Sequence, residues 1–136
     1  MTKDDFKVIM KEADDDLKIP QNLLDKQKYR ENYPGLIQKW TKYYTLQLRV
    51  VAEITIQEAE MVAKLDDDYK YNKKKAYDGR MLTDAVAGDP VYCTLKRKKL
   101  EQEYYLNFIR ETMENVKGIP FTLRDWIEME KLKQMQ

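Results

Sequence analysis

The chain has 136 residues, of which 43% are hydrophobic and 36% are charged, with a net charge of +1. It contains no His and no Ser, and Cys93 is its single cysteine. These counts exclude a Ser-His-Asp triad, a Cys-His pair, a zinc site built from Cys and His, and an internal disulfide. We therefore expect a protein that is not an enzyme, needs no cofactor and resides in a reducing compartment.

The composition favours a single all-helical domain over residues 1–136. The length is that of one ordinary domain, and the low content of 4 Gly and 4 Pro favours long helices. No apolar run reaches the roughly 18 residues that a membrane span needs. Because the first residues also lack the apolar segment of a signal peptide, we expect a soluble protein that is not exported.

Charge is distributed unevenly along the chain. Residues 1–69 carry 11 basic and 14 acidic groups, residues 70–110 carry 10 and 5, and residues 111–136 carry 4 and 5. A basic middle between two acidic ends makes residues 70–110 the first place to look for an anionic partner.

The first predicted helix begins at Thr2, which has the spacing of a capping box with Asp5. We expect this helix to end at the acidic triplet of residues 14–16, before Pro20. Residues 14–34 are then predicted to form a connector with at most one helical turn, near Leu23 and Leu24. The apolar stripe of the helix consists of Phe6, Ile9 and Met10.

A long helix is predicted over residues 34–69. Pro34 suits its first turn, and apolar residues then recur at steps of three, four and seven, which places them on one side of a helix. Two adjoining stripes make an apolar face too broad for one neighbour, so we expect contacts with the same chain and with another copy. The stripes are Leu36, Trp40, Tyr43, Val50, Ile54 and Met61, and beside them Ile37, Tyr44, Leu48, Val51, Val62 and Leu65.

A basic turn and a short helix are predicted over residues 70–89. Asp78 and Gly79 form a turn signal. The short helix follows over residues 81–87, and Gly88 is expected to end it.

The second long helix is predicted over residues 90–117, because Asp89 can cap it and Pro90 suits its first position. The Gly-x-Pro sequence at residues 118–120 is expected to end it. Thr122 and Asp125 then have the spacing of a helix cap, which predicts a C-terminal helix over residues 122–134. This last helix is amphipathic, so it can either pack within the chain or bind another copy.

The most informative segment is residues 69–80, which interleaves four lysines, one arginine and three tyrosines. Lysines follow a phosphate backbone through charge and counterion release, and tyrosine rings stack on unpaired bases at roughly 1–3 kcal/mol per base. The combination therefore favours single-stranded DNA over duplex. A solvated basic loop at a helix end fits the pattern equally well, and the acidic residues 66–68 directly upstream weaken the local field. The candidate DNA-binding residues of this segment are Lys70, Tyr71, Lys73, Lys74, Lys75, Tyr77 and Arg80.

A second basic run occupies residues 96–99. Four consecutive helix positions sweep around most of a turn, so these residues cannot all face one ligand. We expect at least two of them to belong to a solvated face, although the run could line a shared groove if copies assemble. The acidic triplets at residues 14–16 and 66–68 lack further ligands, and we expect solvated helix ends there rather than a metal site.

The order and spacing of these features resemble the UvsY family, the recombination mediators of tailed phages, over roughly residues 14–133. The landmarks are a Pro-x-Leu/Ile-x-x-Lys-Trp motif, a basic Ala-x-Leu element near a Tyr-rich turn, a Met-x-x-Asp-Ala helix, a Leu-Lys…Tyr-Tyr helix and an Ile…Trp-Ile-x-Met helix. In this chain they fall at Pro34 to Trp40, Val62 to Leu65, Met81 to Ala85, Leu95 to Tyr105 and Ile119 to Met129.

The resemblance implies an all-helical chain that binds single-stranded DNA and assembles into a closed ring of roughly six or seven copies. Members of the family help to displace the phage single-strand-binding protein and load the phage recombinase, which is itself the ATPase. The implied role is in DNA recombination, and with it in DNA repair and replication, in the cytoplasm of the infected host cell.

The resemblance also points to particular residues. The family's basic Lys-Ala-Arg-Leu element, which is tied to DNA binding, matches residues 62–65 here, where Lys64 keeps the second charge and Val62 replaces the first. We expect Lys70 and residues 73–75 to supply the missing charge. The family's assembly contacts, which involve the C-terminal part, would fall on Leu123, Trp126, Ile127 and Leu132.

Two other functions fit parts of the sequence. A helical structural, scaffold or adaptor protein would use the same helices to assemble and would have no affinity for DNA. A regulator that binds duplex DNA fits less well, because the chain shows no helix-turn-helix with a recognition helix.

Overall fold

The computed structural model describes residues 1–72 and 77–135, apart from the side chains of Leu23 and Asn72. The predicted all-helical fold class is confirmed for these residues. None of the described helices is both long enough and apolar enough to cross a membrane. The helices are α1 over Lys3–Asp16, α2 over Leu23–Asp67, α3 over Gly79–Ala87 and α4 over Pro90–Met135, and a short π-helical segment, Asp68–Asn72, continues α2.

Helix α1 begins with the predicted capping box. The Thr2 hydroxyl accepts a hydrogen bond from the Asp5 N–H at 3.1 Å, and the Thr2 N–H donates to an Asp5 carboxylate oxygen at 3.2 Å. Hydrogen bonds to the Asp5 carboxylate from the Thr2 backbone N–H and from the Thr2 side chain hold the pKa of Asp5 below its ordinary value. The box satisfies two amide groups that an uncapped helix end leaves without partners, so it defines where α1 starts.

Helix α2 starts 11 residues earlier than predicted, at Leu23 rather than at Pro34. Asn22 caps it, because the Asn22 side chain accepts from the Asp25 N–H at 2.8 Å and donates to the Asp25 carboxylate at 2.7 Å. The predicted connector over residues 14–34 is therefore wrong for its second half. Pro34 lies inside the helix, and the helix continues because side chains on both sides of the proline pack against the core. These side chains are Tyr29, Tyr33, Leu36 and Ile37.

Helix α4 continues through Pro120, so the two predicted helices over residues 90–117 and 122–134 are one. A proline inside a helix costs about 3 kcal/mol. Burying an aliphatic side chain contributes roughly 1.5–3 kcal/mol, and one stripe of α4 is buried on both sides of the proline. The free energy gained by burying this stripe therefore outweighs the cost of Pro120, and the helix continues. The stripe consists of Val116, Ile119, Leu123 and Ile127.

The chain forms two compact units. Unit 1 combines Met1–Leu46 with Tyr105–Gln136, and unit 2 is Gln47–Tyr104. Both long helices contribute residues to both units.

The core of unit 1 surrounds Trp40, whose side chain is fully buried. Its indole N–H donates to an Asp16 carboxylate oxygen at 3.0 Å, and the Lys39 ammonium contacts the same oxygen at 2.7 Å. Lys39 also pairs with Glu12 at 3.2 Å, and burial beside Asp16 raises the pKa of Tyr29 to about 12. The end of the first acidic triplet thus anchors α1 to α2. The remaining core consists of Ile9, Ala13, Ile109, Met113, Val116, Ile119 and Leu123.

In unit 2, the segments of α2 and α4 run in opposite directions. The buried Gln47 side-chain amide donates to both the backbone carbonyl and the side-chain oxygen of Gln102, each at 2.9 Å. Further along α2, Glu58 meets Lys96 and Lys99, which precede Gln102 on α4. Because Gln47 and Gln102 are both buried, the two hydrogen bonds that Gln47 donates fix the register of α2 and α4 in unit 2.

Candidate nucleic-acid interface

Tyr69 and Tyr77, which flank the predicted basic segment in sequence, contact each other. The Tyr77 N–H donates to the Tyr69 carbonyl at 3.3 Å, and the two rings meet edge to face with centroids 5.5 Å apart. The three predicted lysines Lys73, Lys74 and Lys75 lie outside the described residues.

Tyr69 is tied to the start of α4 through Asp89. The Tyr69 hydroxyl donates to one oxygen of the buried Asp89 carboxylate at 2.8 Å. The other oxygen accepts from the backbone N–H of Val91 at 2.9 Å and of Tyr92 at 3.4 Å. The hydrogen bond to Asp89 raises the pKa of Tyr69. The sequence predicted Asp89 as a helix cap, but nothing local in it indicated that the same carboxylate would also hold Tyr69.

The exposed aromatic group of this region is Tyr71. Its side chain is 69% exposed, and the Lys70 ammonium lies 5.3 Å from the centre of its ring, a cation–π distance. Tyr77, by contrast, is half-buried and contacts the Tyr69 ring. Of the two predicted tyrosines, Tyr71 therefore has the ring that is accessible to an unpaired base.

The remaining predicted cations lie on the flanking helices. Lys64 is exposed near the end of α2, and Arg80 is exposed at the start of α3. Arg80 follows Gly79, which has a φ of 51°, a backbone conformation that glycine adopts without strain. The predicted turn signal therefore lies at the beginning of α3, where the chain changes direction before the arginine.

Val62, which the resemblance aligns with a basic residue, lines a cavity of about 240 Å³ in unit 2. The cavity is walled mainly by small and apolar side chains of α2, α3 and α4. A valine at this half-buried position is consistent with packing, whereas a lysine there would have to reach past these side chains to water. The other lining residues are Asp66, Thr83, Val86, Ala87 and Tyr92.

The second basic run is divided between two environments. Lys99 and Lys96 pair with Glu58 at 3.0 and 3.5 Å, whereas Arg97 and Lys98 are exposed. The hydrogen bond from Lys99 lowers the pKa of Glu58, and the same contact raises the pKa of Lys99. Only half of the run is therefore oriented towards solvent, as its helical spacing predicts.

The acidic triplets do not form a metal site in the described part of the chain. No group of three or more His, Cys, Asp or Glu side chains there is arranged to hold a metal ion.

The predicted assembly residues divide into a buried pair and an exposed pair on α4. Leu123 and Ile127 are buried in unit 1, whereas Trp126 and Leu132 are exposed. The first pair therefore packs within the chain, because its stripe continues the core stripe of α4. Two further apolar residues, Phe121 and Met129, are exposed on the same part of the helix as Leu132. The accessible apolar surface of the C-terminal part therefore includes Phe121 and Met129 in place of the predicted Leu123 and Ile127.

Over the described residues, these features define an all-helical chain with two long helices, α2 and α4, and the short helix α3 between them in sequence. In fold the chain is similar to the crystal structure of the bacteriophage T4 recombination mediator protein UvsY, with a TM-score of 0.80 at 16% sequence identity. The match covers 98% of this chain and 99% of the other, so the predicted resemblance is confirmed in the fold. No protein-family model matches the sequence, and neither does any curated protein.

Proposed function

We propose that this chain is a non-enzymatic recombination mediator, which binds single-stranded DNA and promotes loading of a phage recombinase in place of the single-strand-binding protein. The observation that carries the proposal is the fold, which matches that of the T4 recombination mediator over nearly the whole length of both chains. Its partners would be DNA, the recombinase, the single-strand-binding protein and further copies of the chain, in the cytoplasm of the infected host cell.

The geometry around the basic turn supports DNA binding. Tyr71 offers an exposed ring on which a base can stack, and Lys70 beside it can neutralise the adjacent phosphate. Lys64 and Arg80 place exposed cations on the helices that precede and follow the turn. Residues 73–75 add three lysines to the same stretch of chain.

Assembly would convert this modest site into a tight one. A few cations and one ring bind a strand weakly, but linked copies raise the effective concentration at each further contact. The exposed residues Phe121, Met129 and Leu132 recur at helical spacing on α4 and form an apolar face that faces away from the core stripe. We expect a second copy to cover this face in a closed ring, with Trp126 at its edge.

The test compares two triple variants of the chain by fluorescence anisotropy with a labelled single strand over a range of salt concentrations. Replacing Lys73, Lys74 and Lys75 with Ala removes three predicted phosphate contacts. Since each contact to a single strand contributes about 0.7 to the slope of log K against log salt, the slope should fall by up to about 2.

The matched control replaces three exposed lysines of unit 1, Lys7, Lys11 and Lys28, and keeps the same net charge as the first variant. It should retain the wild-type slope. Equal losses in both variants would mean that binding depends on total charge rather than on the turn. If the wild-type chain does not bind the single strand even at low salt, the scaffold or adaptor function is favoured. If the wild-type chain binds duplex DNA more tightly than the single strand, a regulator is favoured.

A further inference from the structure

The π-helical segment Asp68–Asn72 carries Tyr71, the exposed ring on which we propose that a base stacks. The ring lies beside the Lys70 ammonium, which belongs to another exposed side chain. A π-helical turn departs from the regular hydrogen-bond ladder of an α-helix, and such turns occur frequently at functional sites. The orientation of the Tyr71 ring therefore depends on what holds the backbone of this segment.

The side chain of Tyr69 attaches the segment to the start of α4. Its hydroxyl donates to one oxygen of the buried Asp89 carboxylate at 2.8 Å. The other oxygen of this carboxylate accepts from the Val91 N–H at 2.9 Å, which holds the carboxylate against the first turn of α4. A hydrogen bond to a carboxylate is stronger than one between neutral groups. Tyr69 is therefore held by a group that another helix keeps in place.

The backbone and the ring of Tyr69 are held as well. Its carbonyl accepts from the Tyr77 N–H at 3.3 Å, and the two rings meet edge to face with centroids 5.5 Å apart. Tyr69 thus has contacts at its carbonyl, its ring and its hydroxyl. Contacts at three points of one residue restrict both its backbone and its side-chain rotation.

The position of Tyr69 determines where Tyr71 points. Residues two positions apart lie on nearly opposite sides of a helical turn. Because the Tyr69 side chain points towards the start of α4, the Tyr71 ring points away from it, which agrees with its exposure. Stacking needs the face of the ring to be presented to the base, whereas a lysine on its flexible stem reaches a phosphate from many directions. Loss of the Tyr69 contact should therefore weaken stacking more than phosphate binding.

We propose that Tyr69 is a positioning residue for base stacking, whose hydroxyl, held by Asp89, keeps the Tyr71 ring in the orientation that an unpaired base contacts. This inference rests on the proposed function, since it concerns how the chain holds single-stranded DNA. Tyr69 acts through Tyr71 and does not itself touch the base. The ring is ordered before the strand arrives, which lowers the entropic cost of binding.

The first measurement is made without DNA. Tyr69→Phe removes the hydroxyl and keeps the ring that contacts Tyr77. In the free chain, hydrogen exchange at the backbone amides of Asp68–Asn72 should become about tenfold faster than in wild type, because one hydrogen bond to a charged group is lost. Unchanged exchange rates in this segment would overturn the proposal.

Tyr43→Phe is the matched control. The Tyr43 hydroxyl also donates to a carboxylate, that of Glu12, at 2.8 Å, but in unit 1. This variant therefore loses the same kind of hydrogen bond outside the proposed site. It should keep the wild-type exchange rates at Asp68–Asn72 and the wild-type affinity for DNA. An equal loss of affinity in Tyr43→Phe and Tyr69→Phe would mean that binding responds to general destabilisation, which contradicts a positioning role.

The second measurement is fluorescence anisotropy with a labelled single strand. Tyr69→Phe should weaken binding about three- to tenfold, which is less than Tyr71→Ala, because the ring still adopts the competent orientation in a fraction of the molecules. The slope of log K against log salt should stay at the wild-type value, since the phosphate contacts remain. On a strand of equal length built from abasic residues, Tyr69→Phe and wild type should bind equally. A loss on the abasic strand as large as on the normal strand would refute a role in stacking.

The double variant Tyr69→Phe/Tyr71→Ala completes the test. Once the Tyr71 ring is absent, removing the Tyr69 hydroxyl should cause no further loss of affinity. If the hydroxyl contributes as much in the Tyr71→Ala background as in wild type, Tyr69 acts by another route and the proposal is wrong. A wild-type chain that does not bind the strand would overturn the proposed function together with this inference. Additive losses with normal wild-type binding would overturn this inference alone.

Discussion

Two leucines on α4 provide a decisive comparison between packing within the chain and assembly. Leu123 is fully buried in the core of unit 1, whereas Leu132 is 60% exposed on the face that we expect a second copy to cover. The sequence grouped both residues as assembly contacts. Replacing each one with Ala removes the same atoms from two different environments, so the two variants should lose different properties.

The expected loss of stability in each variant follows from how deeply the replaced leucine is buried. A fully buried leucine replaced with alanine loses its transfer free energy and leaves a cavity, which together cost about 2–5 kcal/mol. For a chain of this length, each kcal/mol lowers the melting temperature by about 3–5 °C. Leu123→Ala should therefore melt about 6–25 °C below wild type. Leu132→Ala in the dissociated chain should change stability by less than about 0.5 kcal/mol, as exposed substitutions usually do.

The assay is thermal unfolding followed by circular dichroism at several protein concentrations, with particle mass measured by light scattering on the same samples. Leu132→Ala should give smaller particles, and its melting temperature should approach that of wild type on dilution, because assembly stabilises the folded state by mass action. Leu123→Ala should melt lower at every concentration. A Leu132→Ala protein that melts as low as Leu123→Ala when dilute would refute the assignment of the two faces.

Three further outcomes follow from the structure. Tyr71→Ala should lose about 1–3 kcal/mol of single-strand affinity in anisotropy titrations, the contribution of one stacked base, whereas replacing the exposed Tyr104 should not change the affinity. The pKa of Glu58 is lowered from 4.5, so the stability that its ionised form contributes is complete above about pH 4.5 and is lost as the pH falls through the folded-state pKa. In acid unfolding, the free energy of unfolding of Glu58→Gln should therefore decline less steeply with falling pH than that of wild type. Equal slopes for the two proteins would contradict the ion pair. Pro120→Ala should raise the melting temperature, because it restores an amide donor inside a continuous helix; no gain would indicate that the helix is broken there.

Several local features of this protein were predictable from the sequence. The capping box of Thr2 and Asp5, and the cap by Asp89 before Pro90, depend on residues only a few positions apart, so their spacing alone specifies them. The absence of His and Ser limits the possible chemistry without any knowledge of the fold. The order of the motifs also led to the family resemblance, and the fold agrees with it.

One local signal was present in the sequence and was missed. Asn22 and Asp25 have the spacing of a helix start, which would have placed the beginning of α2 before Pro34. In this structure α2 continues past Pro34 and α4 continues past Pro120, and packed side chains lie on both sides of each proline.

The tertiary structure alone decided which side chains remain accessible. Spacing along a helix places Leu123 and Leu132 in one amphipathic pattern, but only the packing of unit 1 makes the first a core residue and leaves the second exposed. In the same way, Glu58 on α2 pairs with two residues of the second basic run, and Lys26 is buried against Trp126 from the other end of the chain. The physical reason is common to all three: burial and ion pairing depend on contacts between residues far apart in sequence, whereas caps and turns depend on near neighbours.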